Sequence, residues 1–72
     1  MATETEQFVV AHLDGRFLTP TGEFSASESE ARVFTGFAAA RNTSDGLAAG
    51  LVAATEVLEW RDGALGDIVY ST

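Results

Sequence analysis

The apolar positions of this chain follow two periods. Gln7–Leu13 is rich in Phe and Val, and Asp14-Gly15 separates it from Arg16-Phe17-Leu18-Thr19. Both residues of an Asp-Gly pair tolerate positive φ, so this spacing predicts an N-terminal β-hairpin with a two-residue loop. Closed there, Leu13 pairs with Arg16, His12 with Phe17, Ala11 with Leu18 and Val10 with Thr19. One face then carries Phe8, Val10, His12 and Phe17, and the other Val9, Ala11, Leu13 and Leu18. Further on, Phe34, Phe37, Ala40, Leu47, Leu51, Ala54 and Leu58 recur at steps of three and four or their sum. That is the spacing of one buried helical face and predicts the main helix from about Gly36.

The stretches between these patterns read as turns and caps. Pro20 cannot donate to a ladder, and Thr21-Gly22 is a turn from which Glu23-Phe24-Ser25 returns as a short extension. Ser25 with Glu28, and Ser27 with Glu30, match capping-box spacing and predict a helical turn or short strand over 28–34. Asn42-Thr43-Ser44-Asp45-Gly46 is a turn-rich cluster, so the helix has an alternative form broken near 43–46, with Ser44 capping a second helix. Whether 44–58 is helix throughout, or helix then strand, stays open on periodicity alone. The β-branched and aromatic residues of Val57–Trp60 and Asp67–Tyr70, on either side of Asp62-Gly63, favour a C-terminal β-hairpin. The fold class expected is α+β: a small single domain over 7–72 after a flexible N-terminus at 1–6, with an N-terminal β-hairpin, one main helix and a C-terminal β-hairpin.

Gly15-Arg16-Phe17-Leu18-Thr19, Gly22-Glu23-Phe24 and Glu30-Ala31-Arg32-Val33-Phe34-Thr35 resemble a pattern found in short uncharacterised bacterial and phage proteins. There a Gly-Arg/Lys-aromatic-Leu-Thr hairpin leads through Gly-Glu-aromatic to an Ala-x-x-Phe-Ser/Thr helix start. The resemblance covers roughly residues 8–40 and implies a β-hairpin followed by a helix, with no functional residue. Asn42–Gly50 departs from the long charged helix of such proteins.

Composition narrows the chemistry. With 72 residues, a domain buries only about 60% of the surface its unfolded chain exposes, so the core is marginal. There is no cysteine and one histidine, and the four basic residues, Arg16, Arg32, Arg41 and Arg61, stand against 11 acidic ones for a net charge of −7. A Cys-His pair, a Schiff-base lysine, a phosphate-loop lysine and a Cys-type zinc site are all excluded. His12 and Asp14 supply too few ligands for a metal. Glu28 with Glu30, and Glu56 with Glu59, read as solvated carboxylates rather than acid–base pairs. No catalytic residue, cofactor or metal is expected, and the chain is read as no enzyme. It has neither a basic-then-apolar leader pattern nor an apolar run long enough to span a bilayer, which predicts a soluble cytoplasmic protein. The negative surface disfavours direct contact with nucleic acid or membranes.

The function expected is therefore that of a small acidic interaction protein, a phage-type inhibitor or nucleic-acid mimic that binds a basic protein surface. Glu23, Glu28 and Glu30 are its candidate protein-binding residues, because Arg32 is the one basic residue near them in sequence. The alternative is a structural or self-associating module. Apolar residues on both hairpin faces, in a chain too short to cover both, lead to the expectation of a homodimer.

Overall fold

The computed structural model describes residues 6–50, 54–61 and 63–71. Strands β1 (Gln7–His12), β2 (Phe17–Leu18) and β3 (Phe24–Ser25) are followed by a 3₁₀ turn at Glu28–Glu30. Helix α1 (Phe37–Ala49) leads to β4 (Thr55–Arg61) and β5 (Ala64–Ser71). The result is an α+β arrangement in which sheet dominates. The strands form one five-stranded antiparallel sheet in the order β3-β2-β1-β4-β5, in which the sequence-adjacent pairs β1–β2 and β4–β5 are joined by the pairing of β1 with β4. The expected flexible segment at 1–6 falls, Glu6 apart, outside the described residues, as does Leu51 of the expected helical stripe.

The β1–β2 register differs from the expectation by one residue. Ala11, not His12, faces Phe17, and the loop is Leu13-Asp14-Gly15, closed by Gly15 N–H to the His12 carbonyl (2.9 Å) and His12 N–H to the Arg16 carbonyl (2.7 Å). Side chains select this longer loop. Asp14 Oδ1 accepts from Arg16 N–H and His12 Nδ1 accepts from Asp14 N–H, both at 3.1 Å, while Gly15 takes φ +99°, the left-handed closing residue of a three-residue loop. A one-residue shift moves every side chain of a strand to the opposite face. Leu18 thus joins Phe8 and Val10 under the helix, and Phe17 joins Val9 and Ala11 on the far face.

Both faces of β1 are covered from within the chain: Val9 and Val10 are each 0% exposed. On the helix side, Phe8, Val10, Leu18, Phe34, Ala40 and Val57 form one core, with Phe24, Leu47 and Tyr70 packed against it. On the other side Ala31, Leu58, Trp60 and Leu65 close over Val9, Ala11 and Phe17. The premise of an uncovered hairpin face therefore does not hold. Phe34 precedes the helix instead of lying on it. It exchanges both backbone hydrogen bonds with Phe8 (2.7 and 2.8 Å), and since β4 occupies the other edge of β1, Phe34 fills the edge that short β2 leaves open.

Helix α1 begins after extended Gly36 and runs through the turn-rich cluster without the alternative break. Three of the turn-prone side chains there, Thr43, Ser44 and Asp45, make bonds compatible with helix. Thr43 Oγ1 donates back to the Ala39 carbonyl at 2.9 Å. Ser44 is no cap: it is fully buried and shares a hydrogen bond with Thr55 Oγ1. Asp45 accepts from the Tyr70 hydroxyl and lies 3.7 Å from Arg41, one turn earlier. The stripe facing the sheet is accordingly Phe37, Ala40, Ser44 and Leu47, a helical spacing with a serine in it. Leu58, by contrast, belongs to β4.

Candidate interaction surface

The candidate glutamates sit at the β3 edge. Leu18 and Thr19 continue into Pro20-Thr21-Gly22, where Gly22 takes φ +90° and donates to the Thr19 carbonyl at 2.9 Å. The Glu23 carbonyl then accepts from both Thr19 N–H (2.8 Å) and Thr19 Oγ1 (2.9 Å), so Glu23 enters β3 with its backbone fixed and its side chain in solvent. After β3 the chain loops out through the 3₁₀ turn, held by Glu30 N–H to Ser27 and Ala31 N–H to Glu28, both at 3.1 Å. Arg32 N–H returns to the Leu18 carbonyl at 2.8 Å and ends the excursion.

The two capping boxes expected here do not form. Ser27 makes no side-chain cap bond. Its N–H donates to Ser25 Oγ at 3.1 Å, Ser25 Oγ donates to the Glu30 carboxylate, and the Ser27 and Ser29 hydroxyls bond each other at 2.8 Å. A three-residue helical turn is too short for the reciprocal geometry of a box, so the serines bond along the loop instead. Glu23, Glu28 and Glu30 are all exposed, and among the described residues none of them forms an ion pair.

The arginines are engaged elsewhere. Arg16 binds Asp14 through Nε and Nη2, each at 2.8 Å. Arg41 pairs with Asp45, and Arg61 Nη2 donates to Glu59 at 2.8 Å. Arg32 lies over the Phe34 ring, 4.4 Å from its centroid, rather than reaching a glutamate. The Arg16 side-chain hydrogen bond lowers the Asp14 pKa from its ordinary value, against the opposing effect of desolvation, and Asp14 in turn raises that of Arg16.

The other candidate residues separate. Glu56 faces Ala11 and Glu59 faces Phe8, and neighbouring positions on a strand point to opposite sides, so these two carboxylates lie on opposite faces of the sheet. His12 ends β1, its Nδ1 accepting from Asp14 N–H and its ring edge-on to Phe24 with centroids 5.3 Å apart. Among the described residues no three His, Asp or Glu side chains gather as metal ligands, and no helix is long and apolar enough to cross a membrane. The strand expected at Asp67–Tyr70 is present and longer, as β5, and what the sequence reading missed is its outermost place in the sheet, where Ile68 and Val69 are 56% and 41% exposed. The signal for the strand itself was the β-prone run Ile68-Val69-Tyr70. Comparison with protein-family models, curated proteins and solved structures returns no match.

Proposed function

We propose that this chain is a small acidic interaction protein without catalytic activity, and that Glu23, Glu28 and Glu30 meet a basic surface on a protein partner. The observation that carries this reading is the division of charge. Three exposed carboxylates stand on a backbone pinned at both ends, while each arginine is held by another carboxylate or an aromatic ring. A fixed, uncompensated row of negative charge speeds encounter with a basic partner and sets its orientation. In its finer form the reading is that of a phage-type inhibitor or nucleic-acid mimic, whose carboxylates take the place of phosphates.

Titration with an arginine-rich peptide, followed by backbone amide shifts, tests it. The expected result is perturbation concentrated over residues 22–32, lost in the Glu23→Gln/Glu28→Gln/Glu30→Gln variant and suppressed by salt. Perturbation spread evenly over every carboxylate of the chain would overturn it. With a natural partner, the same triple substitution slows association about tenfold or more at low salt and little at high salt.

A further inference from the structure

The β1–β2 loop holds one atom within reach of two partners. His12 Nδ1 accepts from Asp14 N–H at 3.1 Å, and the same nitrogen lies 3.3 Å from Asp14 Oδ1. An imidazole nitrogen that accepts carries no proton, so the bond fixes neutral His12 as the Nε2–H tautomer. In that state Nδ1 and Oδ1 are two acceptors side by side, and their closeness gains nothing. Once Nδ1 is protonated the roles reverse. It can no longer accept from Asp14 N–H, and it becomes a charged donor beside a carboxylate. The two bonds use the same atom and exclude each other.

Asp14 is placed to receive this second cation. Its Oδ2 already takes the Arg16 guanidinium at 2.8 Å, while Oδ1 accepts from Arg16 N–H at 3.1 Å and faces His12. An ionised carboxylate has about four lone-pair sites, so Oδ1 can hold both donors. The other elements around His12 leave the exchange to this pair. From β3 it meets Phe24, whose ring centroid is also 5.7 Å from the Arg16 guanidinium, and Glu23, just before Phe24, stands in solvent. Its ladder partner on β4 is the buried Thr55. Glu56, opposite Ala11, points to the other side of the sheet, and Glu59, opposite Phe8, lies toward the far end of β1. The charged residues of α1, Arg41 and Asp45, pair with each other, and Asp45 also with Tyr70.

We propose that His12 and Asp14 form a pH-sensitive clasp on the β1–β2 loop, in which protonation of Nδ1 exchanges the bond from Asp14 N–H for an ion pair with the Asp14 carboxylate. The exchange releases the Asp14 amide to water and removes one of the two side-chain bonds that select the three-residue loop. The Arg16 N–H bond to Asp14 and the Gly15 closure remain, and Leu18 stays in the helix-side core. The loop therefore loosens without a slip of register, which would carry Leu18 to the other face. Histidine is the side chain whose charge changes over about pH 5–8. Asp14 stays charged through that window, because Arg16 holds its pKa below the ordinary value. This inference goes beyond the acidic-surface reading and does not depend on it.

Nuclear magnetic resonance of the uniformly nitrogen-15-labelled chain tests the clasp. Above the window the His12 ring shows the Nε2–H tautomer, and the Asp14 amide proton has the downfield shift of a hydrogen-bonded group. As pH falls, the Asp14 amide moves upfield with the same midpoint as the His12 ring. His12→Asn sets a carbonyl oxygen near the place of Nδ1, an acceptor that does not titrate, so its Asp14 amide stays downfield throughout. His12→Ala supplies no acceptor, and its Asp14 amide stays upfield at every pH. A neutral ring in the Nδ1–H tautomer, an Asp14 amide that does not follow the ring, or an unchanged amide titration in either variant would each overturn the proposal.

Discussion

Tyr70, on the outer strand, donates its phenolic proton to the carboxylate of Asp45 on the helix. The same ring meets Phe37 edge-on, with centroids 6.2 Å apart, and carries the Arg41 guanidinium 5.3 Å from its centroid. One side chain therefore ties the edge of the sheet to the layer above it. A hydrogen bond to a charged acceptor is worth about 1.5–3 kcal/mol, and partial exposure of this one places it at the lower end. Tyr70→Phe keeps the ring contacts and is expected to lower stability by about 1–2 kcal/mol in thermal or urea melts. A variant that melts with the parent would show the hydroxyl to be solvated and the tie to be purely aromatic.

Ser44 separates the continuous helix from its broken alternative. At an exposed N-cap, Ser44→Asp is neutral or stabilising. Buried against Thr55 inside the core, the same substitution introduces an uncompensated charge and is expected to cost about 3–5 kcal/mol. Ser44→Ala, which removes only the shared hydrogen bond, is expected to cost about 1 kcal/mol. Denaturant midpoints of the two variants decide the matter, and a stable Ser44→Asp protein would restore the break near 43–46.

Asp14 should report on pH. Its folded pKa lies below the ordinary value because Arg16 hydrogen-bonds the charged form. A depressed carboxylate adds stability that is fully present above the unfolded value, near 3.8, and is lost as pH falls through the lower folded value. The contribution is small at so exposed a site and is screened by salt. In a carboxyl-detected titration Asp14 should show a midpoint below the usual range, and Arg16→Gln should return it upward. An unmoved midpoint in that variant would assign the shift to the loop backbone.

Much of this fold was legible in the sequence, and what was not has identifiable causes. Alternation and β-branching marked the strands, and the Ala-rich stretch after Gly36 marked the helix start. The β1–β2 register was not legible because Phe17 and Leu18 are both apolar, so a slip by one residue leaves the pattern equally satisfied. Only the His12 and Asp14 side chains, bonded to backbone N–H groups of the loop, distinguish the two closures. The unbroken helix was hidden for a similar reason. Ser44 and Asp45 read as turn formers by propensity, and their partners, Thr55 and Tyr70, are remote in sequence. At the candidate surface, the exposure of Glu23, Glu28 and Glu30 followed from composition. The pinning of their loop by Thr19, Leu18 and Ser25 did not, since it needs the β2–β3 pairing.

The central place of β1 also sets the order in which the molecule can be assembled during synthesis. Its β2 neighbour is adjacent in the chain, but its other neighbour, β4, begins only at Thr55. At about 5–20 residues per second, a ribosome needs roughly 2–10 s to pass from His12 to Thr55 and on to Arg61. Through that interval Val9 and Val10 lack the strand that buries them, and β1 offers a sticky edge to any nascent neighbour. Chains stalled before Thr55 are the ones expected to need a chaperone, and a slow, late joining of β1 to β4 should limit the folding rate of the finished protein.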